Sequence, residues 1–360
     1  MKKLLVVFPL VFLLVGCQLT PYGEPDLPPT AGIYKTTNNG EDWEYLSNPE
    51  RGQPISNMSV FSLRSDPMVP SVLYAGVFST GIYRSWDAGQ TWDSINRGIP
   101  AIQYAFINQI TFDPNDTNTL YVVGRFDEIG KIVWGDNAGA NWEYLYADAL
   151  TTTDINSFTI SHVNHRLFYA TSRTKAFLRS EDKGQTWQAM HWFDGIPGKV
   201  ITLPQNDNLI FVGVEGKGVM KSEDGGANWQ VCTQEIEDER RGTRIINLPK
   251  VNDLAHNPLR PLSVYAITQS GIFFNSDGGD SWDSISDSLP LQRQDIRTIA
   301  FHPQDLDTFY IGAKDTLYIT YNHGYSWDIK KLYIPDEIRH IVVDQRDPAT
   351  IYLGVGVYED

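Results

Sequence analysis

Apolar residues in this chain come in short runs that alternate with polar ones, and clusters of Asp, Asn, Gly and Pro separate the runs. Gln109-Ile110-Thr111-Phe112 and Leu120-Tyr121-Val122-Val123, for example, flank a polar turn from Asp113 to Thr119. A period of two bounded by turn residues predicts strands, and no segment sustains the 3.6-residue period of an amphipathic helix. The unit recurs. Each strand pair is followed by a short loop, an apolar strand such as Gly81-Ile82-Tyr83-Arg84, a compact polar turn, and a last strand opened by tryptophan. The marking residues are Trp43, Trp92, Trp142, Trp187, Trp229, Trp282 and Trp327, spaced 42 to 53 residues apart. That spacing suits four short strands with their turns, which is one blade of a β-propeller.

The ends of the pattern set the blade count. The first turn, Gly32 to Trp43, has no strand pair before it. At the other end, Ile338 to Val343 and Thr350 to Leu353 form a strand pair with no turn after it. Joined, the two complete one blade. An all-β, seven-bladed propeller of four-stranded blades is therefore expected over residues 32–360, its ring closed by pairing N-terminal outer strands with C-terminal inner ones. Closure hides edge strands that would otherwise invite aggregation.

The turns before the tryptophans share a wording: SWDAGQTW, SEDKGQTW and SEDGGANW are three of the seven. The pattern Ser/Thr-x-Asp/Asn-x-Gly-x-Ser/Thr/Asn-Trp resembles the Asp-box, or BNR repeat, of sialidases, sortilin-type receptors, xyloglucan-cleaving glycosidases and the photosystem II assembly factor. Its acidic or amide positions are Asn38, Asp87, Asn137, Asp182, Asp224, Asp277 and Asn322. Such side chains accept hydrogen bonds from backbone N–H groups two or three residues on. The glycines two positions later supply a positive φ, and the indoles are expected to pack between neighbouring sheets. Three of the seven positions are Asn, which cannot exchange a proton, so the ring of acids reads as structural.

Residues 1–16 read as an export signal: Lys2 and Lys3, an apolar run from Leu4 to Val15, then Gly16. The apolar run is too short to cross a bilayer as a helix. Leu14-Val15-Gly16-Cys17 resembles the bacterial lipobox, which implies a lipid on Cys17. Residues 17–31, rich in proline, then form an extended tether. Gln18 at the next position, where Asp would signal inner-membrane retention, favours an outer-membrane or cell-surface location by the same resemblance. Only Cys232 remains, so no intrachain disulfide is possible, and its place after Trp229 suits a buried apolar side chain. The formal charge is −15, and a body so acidic is repelled by phosphate backbones, which makes nucleic acid an improbable partner.

Chemistry is sparse. No Gly-rich phosphate loop, serine elbow or paired-cysteine zinc spacing is present, so no cofactor and no metal are expected. His162 and His165 lie in a strand-to-strand turn without a third ligand nearby. The expected working face is the one formed by the loops between blades and between second and third strands. Two segments stand out as loops there. His191, Trp192 and Phe193 place aromatics outside the repeat, able to stack on sugars or anchor a protein. Arg240, Arg241 and Arg244 cluster among acids in a long segment beginning at Thr233. The sialidase Arg-Ile-Pro signature is absent, and Val77-Phe78-Ser79-Thr80 has no carboxylate where the xyloglucan-cleaving relatives carry their acid. Hydrolysis of glycosides canonically uses two placed carboxylates. Asp127, Glu128 and Glu215 are single acids in an acidic chain. The sequence therefore favours a non-catalytic propeller that binds a protein or glycan at the cell envelope, with a glycoside hydrolase as the alternative.

Overall fold

The structure, a computed structural model, describes residues 31–46, 55, 57–98, 102–238, 242–247, 250–268, 271–286, 288–289 and 296–357. Cys17, the leader and the tether up to residue 30 lie outside the described residues, as do Arg240 and Arg241.

Seven four-stranded antiparallel sheets form the propeller. Blade 1 starts with the innermost strand Val60–Ser65, blade 2 with Phe106–Asp113 and blade 3 with Ile155–Ile160. Blades 4, 5 and 6 start with Pro197–Leu203, Val251–Ala255 and Ile296–Phe301. Blade 7 is composite: Glu337–Val343 and Ile351–Gly356 are continued by Gly32–Thr36 and Glu44–Tyr45. Tyr34 stands opposite Leu353 in that seam. The ring closes between the two ends of the chain, as the order of strands and turns predicts.

Two repeated features hold neighbouring blades together. The first is the tryptophan. Trp92 of blade 1 packs with Ile33 and Leu46 of blade 7, and Trp142 of blade 2 with Ile95 and Tyr74 of blade 1. The Trp142 Nε1–H donates to the Ile95 carbonyl at 2.8 Å. Trp229 of blade 4 lies 5.0 Å from the Phe177 ring of blade 3. The second feature is a tyrosine in the second strand: Tyr74, Tyr121, Tyr169, Tyr265, Tyr310 and Tyr352, with Phe211 in blade 4. All are buried, so the blades meet through aromatic surface whose burial stabilises the contact. Cys232 is buried in the same layer, where burial pushes its thiol up to about 12.

The repeat turns lie between third and fourth strands. In blade 1 the Asp87 Oδ1 accepts from the Thr91 N–H at 2.8 Å, and the Ser85 Oγ accepts from the Gly89 N–H at 2.8 Å. Blade 3 repeats this with Asp182 and Thr186 at 2.8 Å, and blade 4 with Asp224 and Asn228 at 2.8 Å. Asp277, Asn38 and Asn322 accept from Ser281, Asp42 and Ser326 at 3.2, 3.0 and 2.9 Å. The donor four residues on recurs in all six turns, and Asp224 and Asp277 also accept from the N–H three residues on, of Ala227 and Asp280, at 3.0 Å each, as expected.

Asn137 departs from the expected pattern. Its side chain makes no hydrogen bond within the described residues, and Asp136 instead accepts from Asn141 Nδ2 at 2.8 Å. Gly135 stands where the other turns have a hydroxyl or amide residue. A Cβ there would come within 2.7 Å of the Trp142 ring. This turn lacks the side chain that caps the glycine N–H, and in it Asn137 takes a φ of 48°, whereas the φ of 57° at Ala138 matches the residue before the glycine in the other turns, such as Ala88 at 59°.

Candidate functional site

In an antiparallel blade the turns after first and third strands share one end, and the connections after second and fourth strands share the other. The repeat turns therefore occupy one end of the ring. At the opposite end the innermost strands open into a central channel of about 1300 Å³.

Each innermost strand carries a bulge near its start, for instance between Val60 and Ser62 and between Val251 and Asp253. The residue inside the bulge faces the channel. Taken around the ring these are Phe61, Asn108, Asn156, Asn252, Arg297 and Arg339, with Lys199 in the corresponding bulge of blade 4. The three asparagines are staples. Asn108 donates to the Ile155 carbonyl at 2.8 Å, Asn156 to Pro197 at 2.6 Å and Asn252 to Ile296 at 2.9 Å, each on the next blade. The other polar positions are charged. Among the described residues, seven cations line the channel (Arg64, Arg125, Arg173, Lys199, Lys250, Arg297 and Arg339), with three carboxylates, Asp154, Glu215 and Asp253. In a chain of net charge −15, this is a local reversal of sign. A low-dielectric cleft lined by one sign of charge concentrates ligands of the other.

The groups differ in how they are held. Arg297 bonds Glu337 at 3.1 Å, and the Arg339 guanidinium sits 4.6 Å from the centre of the Phe61 ring. Arg173 is exposed at the mouth. Deeper, burial lowers the pKa of Arg64 and of Lys199, and burial raises that of Asp253 against the pull of both cations. His340 bonds the Phe61 carbonyl through Nε2. Burial, followed by the Arg64 charge, pushes its imidazole down to about 3, so it is neutral. Asp154 is raised to about 6, chiefly by burial, and accepts from Asn108 Nδ2 at 3.1 Å.

The residues singled out from the sequence are only partly gathered here. His191 and Trp192 belong to the outermost strand of blade 3, Gln188–Trp192, and not to a loop. Phe193 is buried and packs 5.0 Å from Trp229 and 4.8 Å from His191. Only Trp192 of the three presents its ring to solvent, at 63 % exposure. The segment from Thr233 is likewise no loop: Thr233–Asp238 and Gly242–Asn247 pair as a separate hairpin, with Arg244 opposite Ile236. Asp127 and Glu128 form a tight turn at φ of 50° and 62°. His165 bonds the His162 carbonyl at 3.2 Å, while the His162 ring meets that of His256 at 5.2 Å. Among the described residues no three His, Cys, Asp or Glu side chains come together as a metal site. The channel cations escaped the sequence reading because they come from separate blades; aligning the seven innermost strands would have lined up only Lys199, Arg297 and Arg339, which share the bulge position.

No family model matches the chain. An oligoxyloglucan-reducing end-specific xyloglucanase of Emericella nidulans is 21 % identical over 328 residues, covering 75 % of this chain and 40 % of that enzyme. Among solved structures, the GH74 xyloglucanase of Xanthomonas campestris superposes with a TM-score of 0.68 at 16 % identity, over 82 % of this chain and 51 % of the enzyme. YCF48 of Cyanidioschyzon merolae gives 0.56 at 12 % identity, over 82 % of this chain and 95 % of that one. The shared property is the propeller. Of these three, the enzymes stand nearer by sequence and by superposition, but this chain spans only about half their length or less.

Proposed function

We propose that the chain is a binding propeller that engages a protein or glycan partner over the open end of its channel. In this reading it is held at the cell envelope by a lipid on Cys17 and the tether of residues 17–31. The observation that carries this is the channel itself. Its charged residues form a converging recognition surface, while its three described carboxylates stand on three different blades and two of them, Asp154 and Asp253, face cations. The overall negative charge still disfavours nucleic acid. Exposed Trp192 near the same end, on the rim of blade 3, offers an aromatic anchor.

Crosslinking capture from source-cell envelopes tests this, with the double variant Arg125→Gln/Arg173→Gln and the variant Trp192→Ala as controls. A recurrent partner lost with the arginine variant, in protein that remains folded, supports the reading. Equal capture by all three proteins contradicts it.

The second reading is a glycoside hydrolase, and the similarity to xyloglucanases favours it over the first. One feature of the site supplies chemistry for it: Asp154, buried with its pKa raised to about 6, keeps its proton to a higher pH than an ordinary carboxyl, as a general acid must. Release of reducing ends from a polysaccharide panel, abolished by Asp154→Asn, would establish hydrolysis. An activity that draws residues from the unmatched half of the xyloglucanases would have no counterpart in this chain.

A further inference from the structure

Three phenylalanines gather at the open end of the channel, outside the apolar layers that join blade 1 to its neighbours. Phe61 fills the bulge of blade 1, Phe106 opens the innermost strand of blade 2, and Phe78 reaches them from the loop after the second strand of blade 1. The ring centres lie 4.2 Å apart for Phe61 and Phe106, and 5.6 Å from Phe78 to each of these. Phe61 and Phe106 line the channel, and Phe78 and Phe106 are half-buried. A cation borders the cluster at each end. The Arg339 guanidinium of blade 7 sits 4.6 Å from the centre of Phe61, and Arg125, opposite Phe106 in the sheet, sits 5.6 Å from the centre of that ring. Arg125 makes no hydrogen bond or ion pair among the described residues. Contact with the ring occupies one face of its guanidinium and leaves the N–H donors at the edge available.

We propose that this cluster is a pocket of the working face that takes one aromatic side chain from an acidic segment of a protein partner, with a carboxylate beside that side chain received by Arg125. The proposal rests on the channel being the working surface and chooses protein over glycan as what it binds. The rings are inclined to one another by 52°, 48° and 80°. They therefore form a notch and not the flat face on which a sugar ring stacks, and an inserted ring can meet them edge to face. Phenyl groups also offer no hydroxyl or N–H to a sugar's hydroxyls. Aromatic rings bordered by guanidinium are the composition found at the energetic centre of protein interfaces, where an inserted side chain carries much of the binding. Asp154 and Arg125 attract one another, but Asp154 takes its hydrogen bond from Asn108 at 3.1 Å and leaves the guanidinium edge open. A purely structural role, in which the three rings only pack blade 1 against blade 2, makes a different forecast: their removal would lower stability and leave binding untouched.

The test is fluorescence anisotropy with the intact, detergent-solubilised chain and three labelled pentapeptides, Gly-Glu-Phe-Glu-Gly, Gly-Glu-Ala-Glu-Gly and Gly-Lys-Phe-Lys-Gly, with an oligoxyloglucan as competitor. The first peptide should bind with a Kd below about 1 mM, and the other two should bind about 10-fold more weakly. The oligosaccharide should not displace it. Phe106→Ala should weaken binding of the first peptide about 10-fold and abolish its preference over the alanine peptide. Arg125→Gln should weaken it about 3-fold and narrow its preference over the lysine peptide. If Phe106→Ala does not fold, Phe78→Ala takes its place with a loss of about 5-fold. No binding of the first peptide, equal binding of the alanine peptide, displacement by the oligosaccharide, or unchanged affinity in a folded phenylalanine variant overturns the proposal. Envelope capture that depends on Arg125 and Arg173 but not on Phe106 defeats this proposal and leaves the binding function standing; the peptide preferences without a captured partner do the reverse.

Discussion

The repeat turns and the channel are built on opposite principles. At the turns, six blades solve one problem in one way, with hydrogen bonds that span no more than four residues, such as Ser85 to Gly89 and Asp87 to Thr91. In the channel, equivalent positions of successive strands hold Phe61, Asn108, Asn156, Lys199, Asn252, Arg297 and Arg339. Contacts there cross the whole chain, as where His340 of blade 7 meets the Phe61 carbonyl of blade 1. A residue repeated in every blade answers a need that every blade has, which is to fold and to pack. Asn108, Asn156 and Asn252 still staple one blade to the next, and the residues that replace them at this register, such as Lys199, are released from that need. Their side chains can serve a ligand, and a ligand sees all seven blades together.

Substitutions can press on that contrast. The largest effect is expected at Trp92→Ala, since the indole is only 5 % exposed and bridges blades 7 and 1. Chemical denaturation should show a loss of about 3–5 kcal/mol; a loss under 1 kcal/mol would mean that the blades do not depend on this layer. Asp87→Ala removes the acceptor for the Thr91 N–H and hydroxyl, and because the turn is exposed the loss should be about 1 kcal/mol. Partner binding in the folded variant should be unchanged. Loss of binding with an unchanged Tm would instead place function in the turns.

Acid should act on the turns together. Hydrogen bonds, led by those from Thr186, hold Asp182 at about 2; those from Asn228 do the same for Asp224. In Asp277 burial works in the opposite direction, but bonds led by that of Ser281 still bring it to about 2. A carboxylate whose pKa is depressed by folding stabilises the fold fully above the unfolded value of about 4, and the contribution fades as pH falls from there to about 2. The Tm should therefore drop across that window, and Asp182→Asn/Asp224→Asn/Asp277→Asn should flatten the drop. An equally steep acid transition in the triple variant would assign it to other carboxylates. Smallest of all is Asn137→Ala. This side chain makes no hydrogen bond within the described residues, so stability should stay within about 0.5 kcal/mol; a loss like that of Asp87→Ala would show that blade 2 keeps the common turn.

Repetition also decided what could be read from the sequence. The seven tryptophans, the turn glycines and the unpaired pieces at the two ends specify the ring and its closure, because each is a local pattern with a fixed period. Asn137 misled the pattern because its neighbour Gly135, forced by the Trp142 ring, removed a partner that the consensus assumes. His191 and Phe193 looked available because they lie outside the repeat, but they cover Trp229. The channel cations carry no shared motif. Arg64 and Arg339 both act on His340 only because the chain has gone once round the ring, a fact of topology that spacing along the sequence does not express. The electrostatic sign of the channel was masked for the same reason, since a net charge averages over a surface that the fold divides.

The most direct test of the account separates the two ends of the molecule in one assay. The affinity of the captured partner would be measured for the parent chain, for Arg125→Gln/Arg173→Gln and for Asp87→Ala, at a temperature where all three are folded by circular dichroism. The account predicts at least a 10-fold loss in the arginine variant, about 1.4 kcal/mol, with less salt dependence, and no change in Asp87→Ala. Unchanged affinity in the arginine variant, or a loss confined to Asp87→Ala, would contradict it and move the working surface to the repeat turns.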